Sequence, residues 1–310
     1  MTRSLYKLCS SILIALSLVY PLFSVHAEVK QADVTTTPQG MFAMLAQYAE
    51  FSSAIYGDKN TMQDVSQQNA YTLTSFGQID GLKIRYLLAT NTKSKTQLIA
   101  IRGTANVENA LVDLALQLTD NNPLGIRLHD GFAQSALAVY SELKTKLRAD
   151  YSISTTGHSL GGAVAVILAM ILDKANYDVE KIVTFGQPKV TNMSGAKMYR
   201  HLSLLRVVTE KDMVPLLPPL DPTDIKSLDV YWHLGTEIVL LKGKQYALLT
   251  GMDSMLRALN FLNKQPSAEN IHHHDIALYQ RLVMQKIKNS SLITYETDFS
   301  FVGDMLNIFK

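Results

Sequence analysis

Cysteine is nearly absent from this chain, because Cys9 is the only one among 310 residues. Cys9 lies within the first 27 residues, so a chain processed after that segment would hold no thiol and no disulfide. This excludes a disulfide-stapled scaffold, and the fold must be stabilised by packing alone. A hydrophobic content of 47% provides the side chains for a large core. One globular α/β domain over residues 28–310 fits this length.

An excess of charge is also lacking. The formal net charge is +2, and Arg3 and Lys7 account for it, since the chain after residue 27 contains 27 basic and 27 acidic residues. A protein that binds nucleic acid needs a positively charged face to neutralise phosphates. The balanced charge therefore argues against a nucleic-acid partner, and it leaves the oligomeric state open.

Residues 8–25 form an uncharged apolar run near the N-terminus. The run follows two basic residues and ends at small residues, the last being Ala27. This order is typical of a secretory signal peptide, so we predict residues 1–27 as the signal and a secreted or periplasmic product. The run is also nearly long enough to span a bilayer, which leaves a retained membrane anchor as the alternative.

Strand-like and helix-like segments alternate along the rest of the chain. Helical patterns occupy residues 41–56, 107–118, 131–148, 162–172 and 276–287. Strand-like patterns occupy residues 71–76, 82–89, 96–102, 151–154, 181–185 and 204–209. The first two strands are joined across an Asp-Gly pair that favours a hairpin. The alternation predicts an α/β fold, with a mostly parallel central sheet and helices on both faces.

Residues 156–162 read T-G-H-S-L-G-G between a predicted strand and a predicted helix. G-x-S-x-G in this context is typical of a nucleophile elbow, a sharp turn that presents a serine, here Ser159. Gly157 and Gly161 would leave room for the turn where any Cβ would clash. The helix after the turn would aim its free N–H groups at the charge that forms in acyl transfer. The motif therefore predicts an acyl-transfer enzyme.

A serine nucleophile needs a base, and the base needs an acid to orient it. The chain order Ser, acid, His places the acid after a later strand. Asp212 follows the strand at residues 204–209, and Glu210 competes with it. Asp221, Asp224 and Asp229 lie further from a strand end.

The histidine could be His233, His272, His273 or His274. His233 lies in what reads as a strand interior, so we interpret it as a core histidine. A run of three histidines also suggests a metal site. Consecutive helical residues project about 100° apart, however, so they converge poorly on one ion, and we expect neither a metal nor a cofactor.

Five ordered stretches make the chain resemble the class 3 lipases, the α/β-hydrolase family of the filamentous-fungal triacylglycerol lipases. They are I-R-G-T at 101–104, L-H-D-G-F at 128–132, T-G-H-S-L-G-G at 156–162, T-F-G-Q-P-K-V at 184–190 and R-V-V-T-E-K-D-M-V-P at 206–215. The resemblance covers roughly residues 70–280, and five motifs in order are far more specific than one.

The resemblance implies Ser159 as nucleophile and Asp212 as the orienting acid. The family's histidine precedes a helix that carries a tyrosine a few residues on. His274, with Tyr279 five residues later, fits this pattern best. His272 and His273 remain alternatives.

The resemblance also implies an oxyanion hole formed by the backbone N–H groups of Thr104 and Leu160. His129 belongs to a family motif and is interpreted as structural, and His158 fills a variable position of the elbow. In the family, the helix after the R-G-T strand is a lid, which here would be residues 105–118. An ordinary surface helix is the alternative. Family lids often carry a tryptophan, and the matching position here is near Ala110.

The implied activity is hydrolysis of lipid acyl esters through an acyl-enzyme, with a transient contact at a lipid interface. Phospholipase A1 or general carboxylesterase activity is the alternative, and a catalytically silent protein that binds lipid or a partner is the non-enzyme alternative. Residues 240–265 add apolar side chains that could line an acyl pocket, contact a membrane or complete the core. Phenylalanines in residues 291–310 suggest a docked tail.

Overall fold

Nine strands of the described chain form one central sheet, and helices cover both of its faces. The computed structural model of the protein describes residues 37–103, 118–120, 122–218, 230–257 and 267–296. The sheet contains β1 (Thr72–Ile79), β2 (Ile84–Asn91), β3 (Thr96–Arg102), β6 (Ser152–His158), β7 (Asp178–Phe185), β9 (Leu204–Thr209), β11 (Thr236–Leu240), β12 (Gln245–Leu249) and β13 (Ser291–Leu292). Its strands lie side by side in that same sequence.

The middle of the sheet is parallel. Parallel pairs join β3 to β6, β6 to β7, β7 to β9 and β9 to β11. Antiparallel hairpins join β1 to β2 and β2 to β3. The predicted α/β fold class is therefore confirmed. Parallel strands end at the same edge of a sheet, so the loops after β3, β6, β7 and β9 gather at one edge, where sites in such sheets form.

Eight helices of the described chain flank the sheet or connect its strands. They are α1 (Pro38–Ala54), α2 (Lys59–Gln68), α3 (Asp130–Leu143), α4 (Leu160–Lys174), α5 (Met193–Met198), α6 (Gly251–Leu256), α7 (Ala268–His273) and α8 (Ile276–Lys288). α1 and α8 pack on one face of the sheet, and α3 and α4 pack on the other. Because α4 is apolar on every side, it is buried from Gly161 to Leu172.

The described chain also forms a second sheet, of four short strands. It consists of β4 (Leu118–Thr119), β5 (Leu128–His129), β8 (Thr191–Asn192) and β10 (Tyr231–Trp232), in the order β10-β8-β5-β4. Leu118 is therefore a strand residue and not the end of a helix. The rest of the helix predicted at 107–118, including Ala110, lies outside the described residues.

The helix predicted at 131–148 ends five residues early, at Leu143. A distant side chain accounts for the difference. The Gln97 amide nitrogen donates to the Lys146 carbonyl, and its oxygen accepts from the Arg148 N–H at 2.8 Å. These bonds from β3 satisfy the backbone beyond the helix in a non-helical conformation, which the local pattern could not indicate.

The prediction that His233 lies inside a strand is wrong. β10 ends at Trp232 and β11 begins at Thr236, with Gly235 at φ +75° between them. A Cβ on Gly235 would lie 2.5 Å from the Leu204 carbonyl oxygen. The close approach of this turn to β9 therefore interrupts the strand pattern.

The predicted signal peptide, residues 1–27, lies outside the described residues. Within the described ranges, no helix is both long enough and apolar enough to span a bilayer. The part of residues 240–265 that the structure describes contributes to the core, since Tyr246, Ala247, Leu249 and Met255 are buried. Of the predicted tail, β13 pairs with β12, and Phe299, Phe301 and Phe309 lie outside the described residues.

Candidate active site

Ser159 occupies the turn between β6, which ends at His158, and α4, which begins at Leu160. Its backbone has φ +58° and ψ −131°, a region that costs a residue with a Cβ about 1–3 kcal/mol. The Ser159 N–H donates to the Phe185 carbonyl at 2.9 Å, which joins the turn to the end of β7. The strained turn and this hydrogen bond hold Ser159 at the edge of the sheet where the parallel strands end.

The two glycines of the elbow are packed against neighbouring backbone. A Cβ on Gly157 would lie 2.5 Å from the Gly161 carbonyl carbon, and one on Gly161 would lie 2.2 Å from the Ile101 carbonyl oxygen. Such distances lie far inside van der Waals contact. The prediction that no side chain fits at either position is therefore confirmed.

Asp212 and His274 meet at the same edge, although 62 residues separate them. Asp212 follows β9, and His274 lies in the turn between α7 and α8. The His274 Nδ1 donates to the Asp212 Oδ2 at 2.8 Å, and both side chains are buried. A carboxylate only accepts, so Nδ1 carries a proton, and in the neutral ring Nε2 keeps a lone pair. Nε2 is buried and has no hydrogen-bond partner among the described residues.

Two further donors hold the Asp212 carboxylate. The Tyr279 Oη donates to Oδ2 at 2.5 Å, and the Val214 N–H donates to Oδ1 at 2.9 Å. Burial, followed by the charge of Asp212, raises the pKa of Tyr279 well above its usual value, so this hydroxyl remains a donor. The carboxylate is thus fixed on both oxygens before any substrate binds.

Gly186 makes the meeting of Asp212 and His274 sterically possible. It follows β7 at φ +60°, and a Cβ there would lie 2.8 Å from the Asp212 Oδ2 and 2.9 Å from the His274 Nδ1. The sequence pattern assigned Gly186 no role beyond its place in a family motif. The available signal was a glycine directly after a predicted strand that ends at the site's edge.

The other candidate histidines lie in different surroundings. His272 is exposed on α7, and the His273 Nδ1 lies 3.2 Å from the Thr209 hydroxyl. The buried His233 donates from Nε2 to the Pro215 carbonyl at 2.6 Å. Burial, followed by the charges of Arg206 and Lys189, places its pKa well below the usual value. Among the histidines considered, His274 is the one bonded to Asp212.

The other candidate groups are placed as follows. Glu210 is exposed in the turn after β9. Asp221, Asp224 and Asp229 lie outside the described residues. His129 is buried and its ring stacks on Phe132, with the ring centres 4.0 Å apart.

The first residue of α4 lies beside the end of β3. The first N–H groups of a helix have no partner within it, and Leu160 has this position. A Cβ on Gly103 would lie 2.6 Å from both the Leu160 Cβ and the Gly161 nitrogen. The backbone after β3 thus approaches the start of α4. Thr104 itself lies outside the described residues, so its part in an oxyanion hole stays a prediction.

A metal site is not evident in the part of the chain that the structure describes. Its histidines and carboxylates form no group of three or more that could hold an ion. At the edge where the parallel strands end, the structure thus places a serine in the turn after β6 and an imidazole bonded to a buried carboxylate. These are the kinds of group that nucleophilic acyl transfer uses.

Comparison with known proteins agrees with this geometry. Residues 98–221 match the model of the family described as lipase (class 3). A lipase of Rhizomucor miehei is 30% identical over 159 residues, which is 47% of this chain and 44% of that protein. Secreted mono- and diacylglycerol lipase 1 of Fusarium solani is 28% identical over 213 residues, 62% of this chain and 63% of that protein. The matches thus span less than two thirds of either relative.

Solved structures show the same fold. The lipase from Rhizopus microsporus var. chinensis superimposes with a TM-score of 0.54 at 25% identity, over 64% of this chain and 74% of that one. The Lip2 lipase from Yarrowia lipolytica superimposes with a TM-score of 0.55 at 24% identity, over 65% of this chain and 79% of that one.

Proposed function

We propose that this chain, whose residues 98–221 match the class 3 lipase model, is a member of that family and a serine hydrolase of lipid acyl esters, a triacylglycerol lipase. The observation that carries the proposal is the buried Asp212–His274 hydrogen bond at the edge where the strained turn presents Ser159. The names of the relatives support the lipid ester as substrate.

The proposed reaction follows the chemistry of these three groups. His274 takes the hydroxyl proton at Nε2 while the Ser159 oxygen attacks the ester carbonyl carbon. Asp212 holds the imidazole in the tautomer that makes Nε2 the acceptor, and stabilises the imidazolium that forms. The imidazolium then protonates the departing alcohol, which leaves an acyl-enzyme. Water attacks the acyl-enzyme by the same route and releases the fatty acid.

The negative charge on the carbonyl oxygen needs donors that are already in place. The Leu160 N–H at the start of α4 is one, and the Thr104 N–H is the predicted second. Each such donor contributes about 3 kcal/mol to the stabilisation of the transition state. The proposed chemistry needs neither a metal nor a cofactor.

The replacement Ser159→Ala tests the proposal. We expect kcat for a p-nitrophenyl ester to fall on the order of 10⁶-fold, because the nucleophile is lost. Ser141→Ala is the matched control, since Ser141 is exposed on α3, and its kcat should be unchanged. Equal turnover by the wild type and Ser159→Ala would contradict the proposal and favour a silent, lipid-binding protein.

Single alanine replacements of His272, His273 and His274 test which histidine is the base. We expect only His274→Ala to abolish turnover, since that ring alone among the three is bonded to Asp212. Near-normal kcat in His274→Ala would contradict the assignment. Fatty-acid release from mixed triacylglycerol and phospholipid vesicles separates a lipase from a phospholipase A1.

We also propose that the protein is exported and cut after Ala27, leaving one catalytic domain from residue 28. The description of the Fusarium solani relative as a secreted lipase supports this proposal. The mass of the protein recovered from culture medium or periplasm tests it, because cleavage removes 27 residues. A full-length mass in the membrane fraction would instead support the anchor at residues 8–25.

A further inference from the structure

His158 precedes Ser159 at the end of β6, and its buried side chain bridges two other parts of the site. Its Nε2 lies 2.7 Å from the backbone carbonyl oxygen of His274. Its Nδ1 lies 3.0 Å from the Oη of Tyr56, just beyond α1. One side chain thus joins the strand that carries the serine, the turn that carries the histidine and the end of α1.

These partners determine the tautomer of His158. A carbonyl oxygen only accepts, so Nε2 carries the proton and donates it to His274. In the neutral ring Nδ1 must then accept, and the Tyr56 hydroxyl is its donor. Burial, followed by the proximity of His274, lowers the pKa of His158 well below its usual value. The ring therefore stays neutral.

In the part of the chain that the structure describes, aromatic and histidine rings surround His158. The His274 ring centre lies 4.6 Å away and the Tyr279 ring centre 6.0 Å away. Tyr56 faces it from the end of α1, and Arg102 is its register partner on β3. His274 therefore has the Asp212 carboxylate on one side and the neutral His158 ring on another.

We propose that His158 is a positioning residue that fixes the backbone and ring face of His274, with Tyr56 holding its tautomer. The proposal rests on the proposed function, because it assigns His158 a part in placing the base of that reaction. Asp212 restrains one atom of the His274 ring, and the bond from His158 restrains the backbone that carries it. A displacement of about 1 Å can lower turnover on the order of 10²-fold.

Three variants test the proposal. His158→Leu removes both nitrogens but keeps an apolar side chain, and we expect kcat to fall roughly 30-fold with KM within about twofold. His158→Gln keeps an N–H close to the place of Nε2, so it should recover turnover to within about fivefold of wild type. Tyr56→Phe should lower kcat about fivefold and leave the melting temperature unchanged. His201→Leu, an exposed matched control, should behave as wild type in all assays.

The results separate positioning from packing. A folded His158→Leu protein with wild-type kcat, or a His158→Gln protein as impaired as His158→Leu, would overturn the proposal. If His158→Leu does not fold, Tyr56→Phe decides, and wild-type turnover in that variant would also overturn it. Ser159→Ala, assayed in parallel, separates failure of this proposal from failure of the proposed function. Activity independent of Ser159 would contradict the proposed function itself.

Discussion

Single residues carry the strain of this site. Ser159 has φ +58° although it has a Cβ, and Gly186 has φ +60° where Asp212 and His274 meet. Gly81 and Gly243 have positive φ as well, but they lie in turns with no atom within 4 Å of a Cβ. A Cβ at a position with positive φ would thus have open space in these two turns, whereas at Gly186 it would meet neighbouring atoms.

Gly186→Ala should damage both the site and the fold. The added Cβ would overlap the Asp212 Oδ2 and the His274 ring, so we expect at least about 10²-fold loss of kcat. Overlap and backbone strain together should lower the free energy of unfolding by about 1–3 kcal/mol. Kinetics and chemical denaturation measure these two effects.

Gly243→Ala is the matched control for this prediction. Its φ is +61° with no neighbouring atom within 4 Å, so it should cost about 1 kcal/mol of stability with unchanged kcat. If both alanine variants retain full turnover, crowding at Gly186 has no functional consequence.

The turn that follows β9 is held by an element that lies earlier in the chain. The Lys189 ammonium donates to the carbonyl oxygens of Leu216 and Pro218, the latter at 2.7 Å. The Lys189 N–H donates to the Leu217 carbonyl at 2.8 Å. The segment after Asp212 is thus tied to the chain that follows Gly186, and these bonds hold the backbone beyond Asp212 in place.

The free energy of unfolding should depend on pH through Lys189. Burial, followed by the charges of Arg206 and Arg257 and offset in part by Glu237, lowers the pKa of Lys189 to about 7. The unfolded value is near 10.5. Between these two values the unfolded chain binds a proton that the folded chain lacks. The free energy of unfolding therefore rises with pH, by up to about 1.4 kcal/mol per pH unit.

Lys189→Met tests this prediction, because the variant lacks the titrating group. Urea denaturation of both proteins at pH 7 and pH 9 gives two differences in unfolding free energy. We expect the difference between wild type and Lys189→Met to grow by up to roughly 2–3 kcal/mol in favour of wild type. Other groups, such as Lys286, are common to both proteins and cancel. A pH-independent difference would contradict the assignment.

At the scale of the whole molecule, sheet order brings distant segments together. Ser159 and Gly186 follow the neighbouring strands β6 and β7, and Asp212 follows β9 beside them. His274 comes from the turn before α8, which packs on α1 and on the sheet. The site is therefore a property of the assembled sheet, and it should be lost in one cooperative step when the sheet unfolds.

The stability of the whole domain should not depend on redox conditions. No cysteine occurs after Cys9, so the domain from residue 28 can form no internal disulfide. We expect the same melting temperature with and without a thiol reductant, measured by circular dichroism. A shift of several degrees on reduction would contradict this prediction and indicate that the segment carrying Cys9 is retained and cross-linked.

Local patterns were sufficient for several elements and for part of the site. The period of apolar residues predicted β3, β9 and α4 closely, and G-x-S-x-G located the turn of Ser159, because these signals depend on neighbours a few residues apart. Chain order and a strand end also pointed to Asp212. Where a distant side chain intervenes, as Gln97 does after α3, the local pattern failed.

Contacts between distant segments determine the other features of the site. Three adjacent histidines look alike along the chain, and only the packing of α7 and α8 against β9 brings His274 to Asp212. Gly186, Tyr279 and His158 gained their parts in the same way, through neighbours 26 to 116 residues away. A sequence pattern records which side chains are available, whereas a hydrogen bond or an excluded Cβ depends on where the folded sheet places them.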